Sequence, residues 1–246
     1  MDAQHLKGLE QLPPRLHGPL ALLASICHEL AGDGVLGLTA FGSVVEEKHF
    51  DPHQEAMRSV LVLRSDDLEV LRSLADSGSQ LQGQGIAAPL IMTPEYIEAS
   101  LDAFPLEFLE IQQQHVTVDG HDYFDDIDPE PGHVRLQAER EMKGLLIGMR
   151  QGLLRSFNNR KSIRMLETDV ASKLLLIFRG MLWLNGDTKS YPAAGMVAKI
   201  EELVERPLAA VPRVLGSGKH DHWEEFKLLY DDLKAVLGFI EQWKPV

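Results

Sequence analysis

The sequence predicts an α+β fold in two parts, an N-terminal mixed sheet with helices on its face and a C-terminal antiparallel helical bundle. Three observations predict it. Up to about residue 130, short apolar runs of strand length alternate with helical periodicity; beyond it, only helical periodicity remains. Charge changes sign near the same point: residues 1–133 hold 6 Lys+Arg and 23 Asp+Glu, whereas residues 134–246 hold 18 and 14. With 44% hydrophobic and 25% charged residues, the chain has an ordinary globular composition and enough apolar residues to fill two cores. The expected domains are 1–130 and 131–246.

The first part opens with a helix in "PLALLASICHELAG", which ends at Gly32. The runs "VLGLTAF" (35–41) and "SVLVL" (59–63) read as strands, joined by a polar loop containing Pro52. Asp66 followed by Glu69 predicts a capping box for a helix through Leu74. "APLIM" (88–92) reads as a strand, and Thr93-Pro94 as the cap and first position of the next helix. "PLEFLEI" (105–111) and "HVTVDG" (115–120) read as two further strands.

In the second part Met142, Leu145, Leu146, Met149 and Leu153 recur at helical spacing. A second helix follows through Ile163, Val170, Leu174, Ile177 and Met181, apolar nearly all round at 174–178 and therefore buried. Asn158-Asn159 and Asn185-Gly186 read as helix stops. Pro192 opens a third helix, and Trp223 to Ile240 marks a fourth.

Several classes of protein are excluded. Cys27 is the only cysteine, so no intrachain disulfide forms, which fits a reducing cytoplasm. The start lacks a signal-peptide pattern, and the longest apolar run, Leu174 to Phe178, is far shorter than the about 20 residues of a membrane span. A cytoplasmic protein without a membrane partner is expected. The acidity of the first part argues against broad nucleic-acid binding there, because phosphate contacts need cations.

"FGS" (41–43) after the first strand, the "SVLVL" strand behind a polar loop, the segment "FPLEFLEIQQQHVTVDGHDYFDDI" (104–127) and the helical bundle together resemble the DNA polymerase β-like nucleotidyltransferase superfamily. The closest arrangement is the two-domain kind of kanamycin nucleotidyltransferase and of the minimal nucleotidyltransferases with a helical partner domain. The resemblance implies that Gly42 and Ser43 approach a triphosphate. It also implies two carboxylates one residue apart at the start of the second strand, and a third acid on a neighbouring strand. Acids at i and i+2 on a strand share a face, and three such acids hold the two magnesium ions that clamp the attacking and leaving oxygens.

Alignment of "SVLVL" on that strand puts Met57 and Ser59 at the paired positions, and neither supplies a charged oxygen. Magnesium demands hard oxygen ligands in near-octahedral array, so they are no substitutes. Two readings follow. In the first the fold persists as a module that binds a nucleotide or a protein partner without turnover and needs no cofactor. In the second, Glu46 and Asp51 of the loop join Glu110, the expected third acid, in a rebuilt Mg2+ site, and the chain moves a nucleoside monophosphate from a triphosphate to a small molecule or protein.

Other clusters carry less. His49, Asp51 and His53 are interrupted by Pro52. "HDYFDD" and "HDH" fall in predicted turns and read as solvated surface. Arg213 and His220 lie in a Gly/Ser-rich loop, and Cys27 sits on an apolar helix face as a core residue. The stretch 142–166 holds Lys143, Arg150, Arg155, Arg160, Lys161 and Arg164 and no acid. Lys143 and Arg150, seven apart, share a helix face and are candidates for nucleotide binding; the alternative is that the stretch neutralises the acidic first part.

Overall fold

A computed structural model describes residues 6–42, 45, 56–216 and 222–244. The chain divides into two compact units, one made of Met1–Leu101 with Glu110–Asp128, the other of Asp102–Leu109 with Pro129–Val246. The second unit therefore takes residues 102–109 from the stretch that the sequence assigned to the first.

The first unit is built on four strands, β1 (Val35–Phe41), β2 (Arg58–Leu63), β3 (Leu90–Met92) and β4 (His115–Gly120), in the order β3-β2-β1-β4. β1 pairs antiparallel with both β2 and β4, whereas β3 runs parallel to β2. A parallel neighbour needs a crossover, supplied by α2 (Leu68–Asp76) and α3 (Gly78–Gly83). Asp67 rather than Asp66 caps α2, accepting from the Glu69 amide at 2.9 Å. Thr93 caps α4 (Pro94–Ser100) through the Tyr96 amide, with Pro94 at its first position as the sequence indicates.

One face of the sheet carries Leu38, Ala40, Met57, Leu61, Leu63, Val116 and Val118, packed with Leu20, Leu23, Ala24 and Cys27 of α1 (His17–Ala31). Burial pushes the Cys27 thiol up to about 12, helped by the negative charge of Asp119, which keeps it protonated as a core residue. His28 of α1 holds Asp119 of β4 at 2.5 Å and ties that helix to the sheet.

The segment expected as a strand at 105–111 is a helix, α5 (Pro105–Gln113). The reason lies in its spacing. Leu106 with Leu109 and Phe108 with Ile111 are pairs three apart, all four buried, whereas a strand would bury alternate residues. Pro105 also suits the first helical position, where its missing N–H is no loss.

The second unit is a bundle of α6 (Pro131–Ser156), α7 (Arg160–Leu184), α8 (Ala193–Leu203), α9 (Val211–Leu215) and α10 (His222–Gln242). Its core is Leu106, Met142, Met149, Leu174, Phe178, Ile200, Leu229 and Leu233 with their neighbours. Asn159, read from sequence as a stop, also starts the next helix: its side chain accepts from the Lys161 and Ser162 amides. The short α9 was not foreseen. Its start is fixed by the buried Asp232, whose carboxylate accepts from the Ala209, Ala210 and Val211 amides at 3.1, 2.8 and 3.3 Å. Among the described residues no helix is long and apolar enough to cross a membrane.

Candidate functional site

The candidate site lies where β1 ends and β2 begins. Gly42 follows β1 with φ +79°, a conformation open to glycine at little cost. Its N–H donates to the Gln114 carbonyl at 2.8 Å, so it is engaged within the fold instead of aimed at a phosphate. Ser43, Glu46 and Asp51, named from sequence as phosphate and metal residues, lie outside the described residues, as do Glu47, His49, His53 and Glu55.

β2 decides the fate of the acid pair. Met57 and Ser59 alternate with Leu61 and Leu63 and so belong to the face that packs on α1. Met57 is 1% exposed and Ser59 2%. The Ser59 hydroxyl is buried without a hydrogen-bond partner among the described residues. Carboxylates here would be buried in an apolar core, so these two positions are not where a metal-holding pair would stand. The other parity offers Ala56 and Arg58, and it carries no acid either.

Arg58 is the residue that sequence reasoning missed. Its guanidinium donates from both Nη atoms to the two carboxylate oxygens of Glu110, at 2.9 and 3.0 Å. It also lies 4.3 Å from the centre of the Phe41 ring and within 3.4 Å of where a Cβ on Gly42 would stand. The structure thus brings Gly42 and Glu110 to one rim, with an arginine between them. Glu110 comes from α5 and not from a strand, a correction that follows from the helical spacing above. The signal for Arg58 was its place between two buried strand positions, which forces a charged side chain onto the opposite face.

A second polar pair lies on that face. The loop after β4 doubles back, so that Asp122 Oδ2 meets His115 Nε2 at 2.9 Å, while His115 Nδ1 is 2.9 Å from the Gln112 carbonyl. That carbonyl can only accept, so Nδ1 carries a hydrogen. Burial pushes the Asp122 carboxyl up, but the Phe124 amide, His115 and Thr117 outweigh it and hold it below the ordinary aspartate value. The Thr39 and Thr117 hydroxyls are 2.8 Å apart across β1 and β4. Asp122, read as solvated surface in a turn, is therefore an anchor of that turn.

The fit of this rim to magnesium is poor. Among the described residues both oxygens of Glu110 accept from the Arg58 guanidinium, which leaves the rim no free carboxylate oxygen of Glu110 for a metal ion. Among the described residues no group of three His, Cys, Asp or Glu side chains is arranged to hold a metal ion. In the bundle, Lys143 donates to Glu139 at 2.5 Å and pairs with Glu241 at 3.0 Å, and Arg150 Nε donates to the Leu146 carbonyl. Both are exposed on α6, but the charge of Lys143 is balanced by its own bundle. Arg213 of α9 is engaged by Glu225 at 2.8 Å, and its suggested companion His220 lies outside the described residues.

No family model matches the chain, and no curated protein matches it in sequence. Solved structures match it in fold. One is spectinomycin adenyltransferase AAD(9) from Enterococcus faecialis with ATP and spectinomycin, at a TM-score of 0.56 and 11% identity, covering 92% of this chain and 99% of that one. At such identity the likeness is one of fold: this chain has a nucleotidyltransferase-like fold, a four-stranded mixed sheet with helices followed by a large helical region.

Proposed function

We propose that this chain is a nucleotidyltransferase-fold protein that binds a nucleotide through its phosphates and does not transfer it. The observation that carries the reading is the two-pronged Arg58–Glu110 pair. A two-metal phosphoryl site needs carboxylates facing cations that can leave with the product. Here the third-acid candidate faces a fixed guanidinium. An arginine fork fits a phosphate as well as it fits a carboxylate. Arg58 is 47% exposed, so an incoming phosphate reaches it and takes Glu110's place. The adenyltransferase of similar fold was solved with ATP, which makes a nucleoside triphosphate the first ligand to test.

Calorimetry with ATP and GTP, with magnesium and with a chelator, tests this alongside a pyrophosphate-release assay. Binding is expected to persist in chelator, to vanish in Arg58→Ala, and to tighten in Glu110→Gln, where the fork is freed. Magnesium-dependent pyrophosphate release that Glu110→Gln abolishes would overturn the reading in favour of an active transferase, with Glu46 and Asp51 completing the site.

A further inference from the structure

The hairpin tip joining α6 to α7 has features that the bundle does not use. The chain makes the turn through Phe157 at φ +48° and Asn158 at φ +59°. The left-handed region is costly for a bulky side chain and is tolerated where something compensates. Packing among the described residues does not do so, because Phe157 is 92% exposed. Leu154 is 78% exposed, Met165 60% and Ile147 52%. Ile147 and Leu154, seven apart, lie on one side of α6 and lead toward the ring.

Around these apolar groups the charge is of one sign. Between Glu141 and Glu167 there is no acid, and Arg150, Arg155, Arg160, Lys161 and Arg164 lie within two or three turns of the apex. All five are exposed. Among the described residues Arg155, Arg160, Lys161 and Arg164 form no ion pair, although the bundle pairs its other cations freely, as at Lys143, Lys199 and Lys227. The tip is also narrow: a Cβ on Gly152 of α6 would stand 2.5 Å from Leu166 of α7, so the two helices approach closely one turn below the apex.

We propose that this tip docks on an anionic phospholipid surface, with Phe157 and Leu154 entering the headgroup layer and the flanking arginines and lysine on the lipid phosphates. A convex apex with one ring and three aliphatic side chains suits a soft, deformable layer. Apolar side chains gain by partitioning into the acyl boundary while basic ones hold the anionic headgroups. Single-stranded nucleic acid would also meet the cations, but it gains from stacking successive bases on several aromatic faces, and the tip offers one, Phe157, whereas Ile147, Leu154 and Met165 offer none. At physiological salt charges beyond about 8 Å are screened, so the acidity of the whole chain does not cancel the field at the tip. The docking is peripheral and needs no spanning helix.

The full chain is sedimented with vesicles of phosphatidylcholine alone and with vesicles in which about a third of the lipid is phosphatidylserine. Binding to the anionic vesicles is expected to exceed binding to the neutral ones about tenfold or more and to fall with added salt. Phe157→Gly is the decisive variant, because glycine accepts the left-handed turn. It is expected to raise the melting temperature while weakening vesicle binding several-fold. Arg160→Glu with Lys161→Glu is expected to abolish binding at an unchanged melting temperature. Equal binding to both vesicle types, undiminished binding by Phe157→Gly, or capture of a single-stranded RNA oligonucleotide in preference to the anionic vesicles would overturn the proposal.

Discussion

Arg58 and Ser59 are adjacent on β2 and lie on opposite faces of the sheet, one reaching Glu110 at the rim and the other sealed against the core beneath α1. This parity turns a question about missing acids into one about burial. Ser59→Ala removes a buried hydroxyl that has no partner among the described residues, so it is expected to be neutral or mildly stabilising. Ser59→Asp would bury an unpaired carboxylate, with a loss of about 3 kcal/mol or more. Thermal melts of the two variants check this. An Asp variant as stable as wild type would mean that the strand presents this position to solvent.

The Arg58–Glu110 pair couples β2 to α5 by two parallel hydrogen bonds, but the arginine is 47% exposed and the glutamate 19%. Solvent screening limits such a pair, so a double-mutant cycle with Arg58→Ala and Glu110→Ala is expected to give a coupling of about 0.5–1 kcal/mol, falling as salt rises. Coupling that is absent at low salt would show that the pair does not hold β2 to α5.

The strands at 35–41, 59–63 and 115–120 and the long bundle helices were legible because their apolar residues repeat with one period over a sufficient length. α5 was misread because "PLEFLEI" is short, and in seven residues the two periods overlap. Only its tertiary burial, with Leu106 and Leu109 in the bundle core, decides between them. The site was legible only in part. Gly42 and Glu110 were named, and the fold does bring them to one rim. Arg58 between them, and Asp122 folded back on His115, depend on contacts 52 and 7 residues apart in sequence, which no local pattern encodes.

Asp122 gives the rim turn an acid sensitivity of definite sign. Its carboxyl is held below the ordinary value of 3.8 in the folded chain, where the Phe124 amide, His115 and Thr117 favour the charged form against burial. A depressed folded value means a stabilising contribution that is present in full above the unfolded value and lost as pH falls through the folded one. Stability is therefore expected to decline as pH drops below about 4, and Asp122→Asn should flatten that part of the profile while lowering stability near neutrality. Urea melts across the acid range test this; an unchanged slope in the variant would assign the acid sensitivity elsewhere.

Gly120 closes β4 at φ +71°, and a Cβ there would stand 2.1 Å from the Leu36 carbonyl oxygen and 2.9 Å from the Gly37 Cα. Both obstacles are backbone of β1, beside the irregularity in the β1–β4 register at Leu38 and Thr39. Neither can yield without breaking the ladder that carries Thr117 and leads to Asp122. Gly186, after α7, has φ +79° but open space around its would-be Cβ. The two glycines separate dihedral strain from collision. Gly186→Ala is expected to cost about 1–2 kcal/mol, the left-handed penalty alone. Gly120→Ala adds the backbone clash and should lose more than twice as much, enough to threaten folding of the first unit. Comparison of the two melting temperatures is the measurement. Equal shifts would show that β4 relaxes away from β1, and the rim residues would then not be held as rigidly as their hydrogen bonds imply.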